Sequence, residues 1–84
     1  MKLLVFSSPS CAPCGPTKEA ARTADTGCPL VIVDVEETPQ LTQQYQVRQL
    51  PTLIVVDDDG AVLAQHPGML GRRGVEDLVR RAQA

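Results

Sequence analysis

The sequence predicts one small α/β domain with the element order βαβαββα, in which a four-stranded mixed sheet is flanked by three helices. Short apolar runs rich in β-branched residues alternate with helix-prone segments, and a strand–helix–strand unit comes first. An acidic turn that ends in glycine separates the last two strands. Because 84 residues suffice for one small domain, we expect residues 1–84 to form a single domain.

The first two strands are predicted from uninterrupted apolar runs. Lys2 to Phe6 contains such a run bounded by turn residues, which is typical of a strand that is covered on both faces. Leu30 to Val35 is similar and again β-branched. A helix-prone segment joins the two strands, and this βαβ crossover implies that they are parallel neighbours.

The helix between these strands has no obvious beginning. Thr17 to Thr26 is helix-prone, but a helix that began at Cys11 would lack a hydrogen bond at Pro16, which has no N–H. We therefore expect either a local distortion or a regular helix that begins only at Pro16. Gly27 is expected to end it.

The second helix and the hairpin that follows are predicted from capping and turn residues. Thr38-Pro39 is an N-cap followed by proline at the first helical position, and opens a short helix. Thr52 to Val56 is the third strand, Asp57 to Gly60 is a turn, and Ala61 to Gln65 returns as a weaker antiparallel strand. We expect His66-Pro67-Gly68 to break this strand.

The last segment has the pattern of an amphipathic helix. Its apolar residues recur on one stripe, at Val75, Leu78, Val79 and Ala82. Acidic residues come early and arginines come late, which complements the helix dipole.

Composition excludes several classes of function. The net charge of −2 argues against a nucleic-acid binder, which would usually be basic. Only four apolar residues follow Met1-Lys2 before a polar stretch, too few for a signal-peptide core or a membrane span. We therefore expect a cytoplasmic protein that binds neither nucleic acid nor a membrane. We also expect a monomer.

Cys11 and Cys14 are the strongest candidates for chemistry. A Cys-x-x-Cys pair between a strand and a helix indicates redox activity, and residues three apart on a helical turn can bring their sulfurs together. A disulfide that closes four residues stabilises the fold by only about 2 kcal/mol. Such a bond is better suited to repeated oxidation and reduction than to stabilising the fold.

A zinc or copper site is the alternative for the same two cysteines. A structural zinc site needs four ligands, and only Cys28 and His66 remain to complete it. These two residues do not form a second Cys-x-x-Cys motif. Cys28 is expected to be a small, partly buried residue. The run of three aspartates is expected to be a hairpin turn rather than a cation site.

Three motifs together resemble the thioredoxin/glutaredoxin superfamily. Cys11-Ala12-Pro13-Cys14 looks like the Cys-Gly-Pro-Cys motif of thioredoxins, and Leu50-Pro51-Thr52 looks like the Ile-Pro-Thr segment that carries the family's cis-proline. Gly68 is similar in place to the glycine after the family's fourth strand. The resemblance spans essentially the whole chain and implies the thioredoxin-like fold of a minimal thioredoxin-like protein.

Some residues depart from the family pattern. Ser10 stands where thioredoxins have tryptophan, and Val5 stands where they usually bury an aspartate. The glutathione-binding features of glutaredoxins are missing, since Gln49-Leu50 precedes Pro51 in place of Thr-Val and no Gly-Gly-x-Asp follows. The resemblance thus favours a thioredoxin-like protein over a glutathione-dependent one.

The resemblance also implies a mechanism. Cys11 would be the attacking thiol, Cys14 would resolve the mixed disulfide, and a cis Pro51 would face them. The surface that binds substrate would comprise Ala12, Pro13, Leu50, Pro51, Gly68 and Met69. No cofactor would be bound. Electrons would pass from NADPH through a thioredoxin-reductase-type flavoenzyme to disulfide-containing client proteins, with a glutaredoxin-type enzyme or a thiol-based metal-binding or redox-sensing module as alternatives.

Overall fold

The computed structural model describes all residues from Met1 to Ala84 and has the predicted order βαβαββα. The elements are β1 (Lys2–Ser7), α1 (Cys14–Thr23), β2 (Leu30–Asp34), α2 (Pro39–Gln44), β3 (Thr52–Val56), β4 (Val62–Pro67) and α3 (Arg72–Gln83). None of the three helices has the length and apolar character needed to cross a bilayer.

The four strands form one mixed sheet in the order β2-β1-β3-β4. β1 is parallel to β2 and antiparallel to β3, and β3 and β4 form an antiparallel hairpin, as predicted. The register places Ser7 beside Asp34, Phe6 beside Thr52, and Thr52 beside Pro67. The ends of β1, β2 and β4 therefore meet the beginning of β3 at one end of the sheet.

Apolar side chains cover both faces of the two central strands. On one face, the buried cluster comprises Leu3, Val5, Leu53 and Val55 of the sheet, Ala21 of α1, and Val75, Leu78 and Val79 of α3. On the other face it comprises Leu4, Phe6, Val33, Ile54 and Val56, with Leu41 and Tyr45 packed against it. The predicted burial of β1 on both faces and the predicted stripe of α3 are confirmed.

Helix α1 begins at Cys14, so both predicted beginnings are wrong. The first four N–H groups of a helix have no intrahelical acceptor, and a beginning at Cys14 places Pro16 among those positions. Pro16 thus removes no hydrogen bond, and no distortion is needed.

The end of α1 also differs from the prediction. The helix ends at Thr23 rather than Thr26, before Gly27 is reached. The N–H of Asp25 donates to the Glu76 carboxylate of α3 at 2.8 Å instead of to a carbonyl one turn back. A tertiary contact therefore ends the helix earlier than the local sequence indicates.

Strand β4 continues through the residues that were expected to break it. His66 pairs with Leu53, and Pro67 pairs with Thr52. Because β4 is an outer strand, a proline there can face away from the sheet, where no N–H is needed. The strand ends at Pro67, and the next residue, Gly68, has a φ of +105°.

The aspartate run forms the predicted hairpin turn. Asp57 Oδ1 accepts hydrogen bonds from the N–H groups of Asp59 and Ala61, each at 2.9 Å. The amino group of Met1 donates to Asp58 Oδ1 at 2.8 Å and holds the pKa of that exposed carboxyl below its usual value. Two of the three carboxylates are thus engaged within the chain.

Candidate active site

A disulfide joins Cys11, in the turn between β1 and α1, to Cys14, the first residue of α1. Their Cα atoms are 5.4 Å apart, within the usual range for such a bond. The prediction that the two sulfurs meet is confirmed.

Backbone hydrogen bonds shape the turn that carries this disulfide. The N–H of Cys11 donates to the Ser8 carbonyl and the N–H of Cys14 donates to the Cys11 carbonyl, each at 3.2 Å. The hydroxyls of Ser8 and Ser10 lie 3.3 Å apart beside the turn. The approach to Cys11 is therefore polar, where thioredoxins place a tryptophan.

The two cysteines differ in their access to solvent. Cys14 is 0% exposed, while Cys11 is partly exposed. A thiol or disulfide that arrives from solvent can therefore meet Cys11 but not Cys14.

The beginning of α1 offers few backbone donors to a nearby anion. The four N–H positions without an intrahelical acceptor belong to Pro13, Cys14, Gly15 and Pro16, and two of these residues are prolines. The N–H of Cys14 is used within the turn, which leaves that of Gly15. The N-terminus of α1 therefore offers fewer free N–H donors to an anion than an ordinary helix does.

The loop before β3 lies at the same end of the sheet as the cysteine turn. The Leu50–Pro51 peptide is cis, as the resemblance implies, and Pro51 is buried. The Pro51 carbonyl accepts a hydrogen bond from the N–H of Gly68 at 2.7 Å. Gly68, after β4, is thereby held against the beginning of β3.

A thioredoxin family model matches residues 1–83 of the chain. The chain belongs to the thioredoxin family. It is 34% identical to a putative thioredoxin 2 of Streptomyces coelicolor over 96% of its own length. It spans only 62% of that relative's length.

Solved thioredoxin structures have the same fold. A mutant thioredoxin from Halobacterium salinarum is 26% identical and superposes with a TM-score of 0.86, over 98% of this chain and 74% of that one. A thioredoxin from Malassezia sympodialis is 21% identical, with a TM-score of 0.81 over 98% of this chain and 74% of that one. This thioredoxin-family chain thus has a redox-active Cys-x-x-Cys disulfide, Cys11–Cys14, on the family's fold.

The predicted substrate-binding residues of this thioredoxin-family chain differ in exposure. Ala12 and Pro13 are exposed, and Met69 is 59% exposed. Leu50 and Gly68 are partly exposed, whereas Pro51 is buried. A contact with the Pro51 segment would therefore be made with its neighbours and its backbone.

A cavity of about 260 Å³ lies beside the loop before β3. Its lining is largely polar and includes Arg48, Gln49, Thr52, Gln65 and Pro67. A second cavity, of about 350 Å³, opens at the other end of the sheet near Lys2 and Val56, away from the cysteine turn. Neither cavity is lined by Cys11 or Cys14, but the smaller one is lined by Thr52 and Pro67, which are the neighbours of Pro51 and Gly68 in the chain.

The interior next to the site lacks the acid that thioredoxins usually bury. Val5 stands in that place and is fully buried. Thr17, which no motif indicated as a site residue, is buried on the same helix as Cys14. Its spacing of three residues from Cys14 is the signal that could have drawn attention to it.

The structure supplies no ligand set for the metal-binding alternative. No three side chains of His, Cys, Asp or Glu are grouped so that they could hold a metal ion. Cys28 is free and partly buried, and its Sγ lies 3.7 Å from Thr26 Oγ1. His66 lies in β4, paired with Leu53.

Proposed function

We propose that this chain is a thiol–disulfide oxidoreductase that reduces the disulfides of client proteins. The observation that carries the proposal is the unequal exposure of the two cysteines in one disulfide. Cys11 is partly exposed and Cys14 is fully buried, which suits a division into an attacking and a resolving thiol. Membership of the thioredoxin family supports the same assignment.

The reaction uses two successive exchanges. The Cys11 thiolate attacks a client disulfide, forms a mixed disulfide and releases the first client sulfur as a thiolate. Cys14 then attacks the Cys11 sulfur, the bond between Cys11 and the client breaks, and the second client sulfur leaves with its electron pair. Each released thiolate takes up a proton, so the client gains two thiols while the chain gains its disulfide.

A client segment would bind in extended form beside the cysteine turn. None of the hydrogen bonds between backbone groups of the loops involves Leu50, so its backbone is free to pair with such a segment, as in strand addition. Ala12, Pro13 and Met69 offer exposed apolar contacts around the disulfide. The polar cavity next to Pro67 would accept a hydrophilic client side chain.

Electrons would come from NADPH through a thioredoxin-reductase-type flavoenzyme, in a reducing compartment such as the cytoplasm. The test supplies NADPH with either a thioredoxin reductase or glutathione and glutathione reductase, and follows NADPH oxidation in the presence of a disulfide client. We expect faster turnover with the thioredoxin reductase. Equal or faster turnover with glutathione would assign the chain to a glutaredoxin-type role.

Insulin reduction tests the proposed function directly. The wild type should accelerate the reduction of insulin by dithiothreitol, and Cys11→Ser should abolish the acceleration because it removes the attacking thiol. Cys14→Ser should instead accumulate a mixed disulfide at Cys11, which mass spectrometry detects. Cys28→Ala is the matched control and should retain activity. A Cys11→Ser variant as active as the wild type would refute the proposal.

A further inference from the structure

The hydroxyl of Thr17 is buried without a hydrogen-bond partner. The residue is 1% exposed, and its Oγ1 makes no hydrogen bond. Burying a hydroxyl without a partner costs free energy, and most buried polar groups avoid it. A group in this condition calls for a physical explanation.

Thr23, at the other end of the same helix, shows what a helical threonine ordinarily does. Its hydroxyl lies 3.1 Å from the Glu19 carbonyl and 3.3 Å from the Ala20 carbonyl, and so bonds to the preceding turn. Thr17 makes no such bond. Its hydroxyl therefore lacks the carbonyl acceptor that the hydroxyl of Thr23 has.

Thr17 lies on the same face of α1 as Cys14. The buried residues of this helix are Cys14, Thr17 and Ala21, and residues three apart on a helix have Cβ atoms about 5–6 Å apart. Helical side chains lean toward the N-terminus, so the side chain of Thr17 lies over the turn that begins with Cys14.

The elements packed against α1 leave few other polar groups for Cys14. Val5, in β1 at the place of the family's acid, is apolar and fully buried. The Asp34 carboxylate at the end of β2 accepts from the N–H of Glu36 at 2.8 Å. On α3, Glu76 is bound to the Asp25 N–H beyond the other end of α1, and Asp77 pairs with Arg80.

We propose that the Thr17 hydroxyl donates a hydrogen bond to the Cys14 sulfur once the disulfide is reduced, and that this bond promotes the resolving step. The inference rests on the proposed function. In the mixed disulfide, Cys14 loses its proton, which ends in bulk solvent once the buried thiol ionises, and the Cys14 sulfur forms a bond to the Cys11 sulfur. The Cys11–client bond breaks, and the client sulfur leaves with the electron pair and takes up a proton from water.

The physical reason is the burial of Cys14. Charge on a buried sulfur is disfavoured unless a donor stabilises it, and a hydrogen bond to an ionised group is stronger than one between neutral groups. The Thr17 hydroxyl, which has no partner in the oxidised form, is therefore available as a donor to the Cys14 sulfur in the reduced form. Thr17 acts on the reaction through Cys14 and is a positioning residue.

Reaction of the reduced protein with the chromogenic disulfide dithiobis-nitrobenzoate separates the two steps. Attack by Cys11 releases one coloured thiolate, and attack by Cys14 on the resulting mixed disulfide releases a second. The measurement is made in a Cys28→Ala background, because Cys28 is a free thiol that would add its own signal. Stopped-flow absorbance then gives one rate for each cysteine.

Thr17→Val keeps the shape of the side chain and removes the hydroxyl. We expect the first phase to be unchanged and the second phase to slow about tenfold, as for the loss of a hydrogen bond to a charged group. Thr17→Ser should restore the second phase, and Thr23→Val should leave both phases unchanged. The oxidised Thr17→Val protein should melt at the same temperature as the parent or higher, because it buries no unpartnered hydroxyl.

Three outcomes would overturn the inference: a second phase in Thr17→Val within twofold of the parent, a Thr17→Ser variant as slow as Thr17→Val, or both phases slowed together with a lower melting temperature. Failure of the proposed function is distinguishable from these. A parent protein that releases no second thiolate from Cys14 would refute the proposed function, whatever the Thr17 variants do.

Discussion

The hydroxyl of Thr52 donates a hydrogen bond to the carbonyl oxygen of Gln49 at 2.6 Å, and so ties together the two sides of the Leu50–Pro51 bend. Thr52 is also the first residue of β3 and lies between Phe6 and Pro67 in the sheet. One side chain thus joins the loop before β3 to the strands of the sheet.

Thr52→Val should weaken this connection. The valine keeps the shape and the strand preference of threonine but leaves the Gln49 carbonyl without its donor, so we expect unfolding free energy to fall by about 1 kcal/mol. Urea denaturation measures the change, and Thr52→Ser is the control that should recover most of it. Stability of Thr52→Val equal to that of the wild type would show that the hydrogen bond contributes nothing.

Gly68→Ala should be destabilising although space for the methyl group exists. A Cβ at this position would lie 3.6 Å from Gln49 Nε2, an ordinary contact, but the φ of +105° is strained for any L side chain. We expect a loss of about 1–3 kcal/mol. Gly15→Ala is the control, because nothing lies within 4 Å and its helical position favours alanine by about 1 kcal/mol. A harmless Gly68→Ala would contradict the prediction.

Alkylation of the reduced protein should distinguish the two cysteines. A brief pulse of iodoacetamide should modify Cys11 well before Cys14, because Cys14 is fully buried. Cys28, which is partly buried, serves as the internal reference. Peptide mapping by mass spectrometry measures the three extents of modification, and faster labelling of Cys14 than of Cys11 would contradict the assigned roles.

Leu78→Ala should test the packing of α3 against the sheet. Leu78 is 1% exposed within the cluster that includes Val5 and Val75, so its truncation should cost about 2–5 kcal/mol. Leu63 is 42% exposed, and Leu63→Ala should cost much less. Chemical denaturation of both variants measures the difference, and similar losses would mean that α3 is not packed as described.

Local patterns in the sequence were sufficient to predict most of the fold. The apolar run at the start of the chain predicts β1, and the stripe from Val75 to Ala82 predicts α3. The turn that ends in a glycine, at Asp57 to Gly60, predicts the hairpin of β3 and β4. The spacing of Cys11 and Cys14 was sufficient to predict that their sulfurs meet. In these cases the physical cause lies within a few residues of the feature.

Features with causes elsewhere in the chain were predicted less well. The end of α1 depends on Glu76, a residue of another helix, and the extension of β4 through Pro67 depends on its place at the outside of the sheet. The burial of Thr17 likewise depends on how α1 packs. Local sequence cannot report contacts of this kind.

The outer position of β4 has a consequence for how the protein is handled. β4 is an edge strand, and its residues Val62 and Leu63 are 48% and 42% exposed. An exposed edge strand can pair with a strand of a second chain. At high concentration, the folded protein should therefore self-associate through this edge strand. Leu63→Lys should reduce this self-association without changing the cysteine turn.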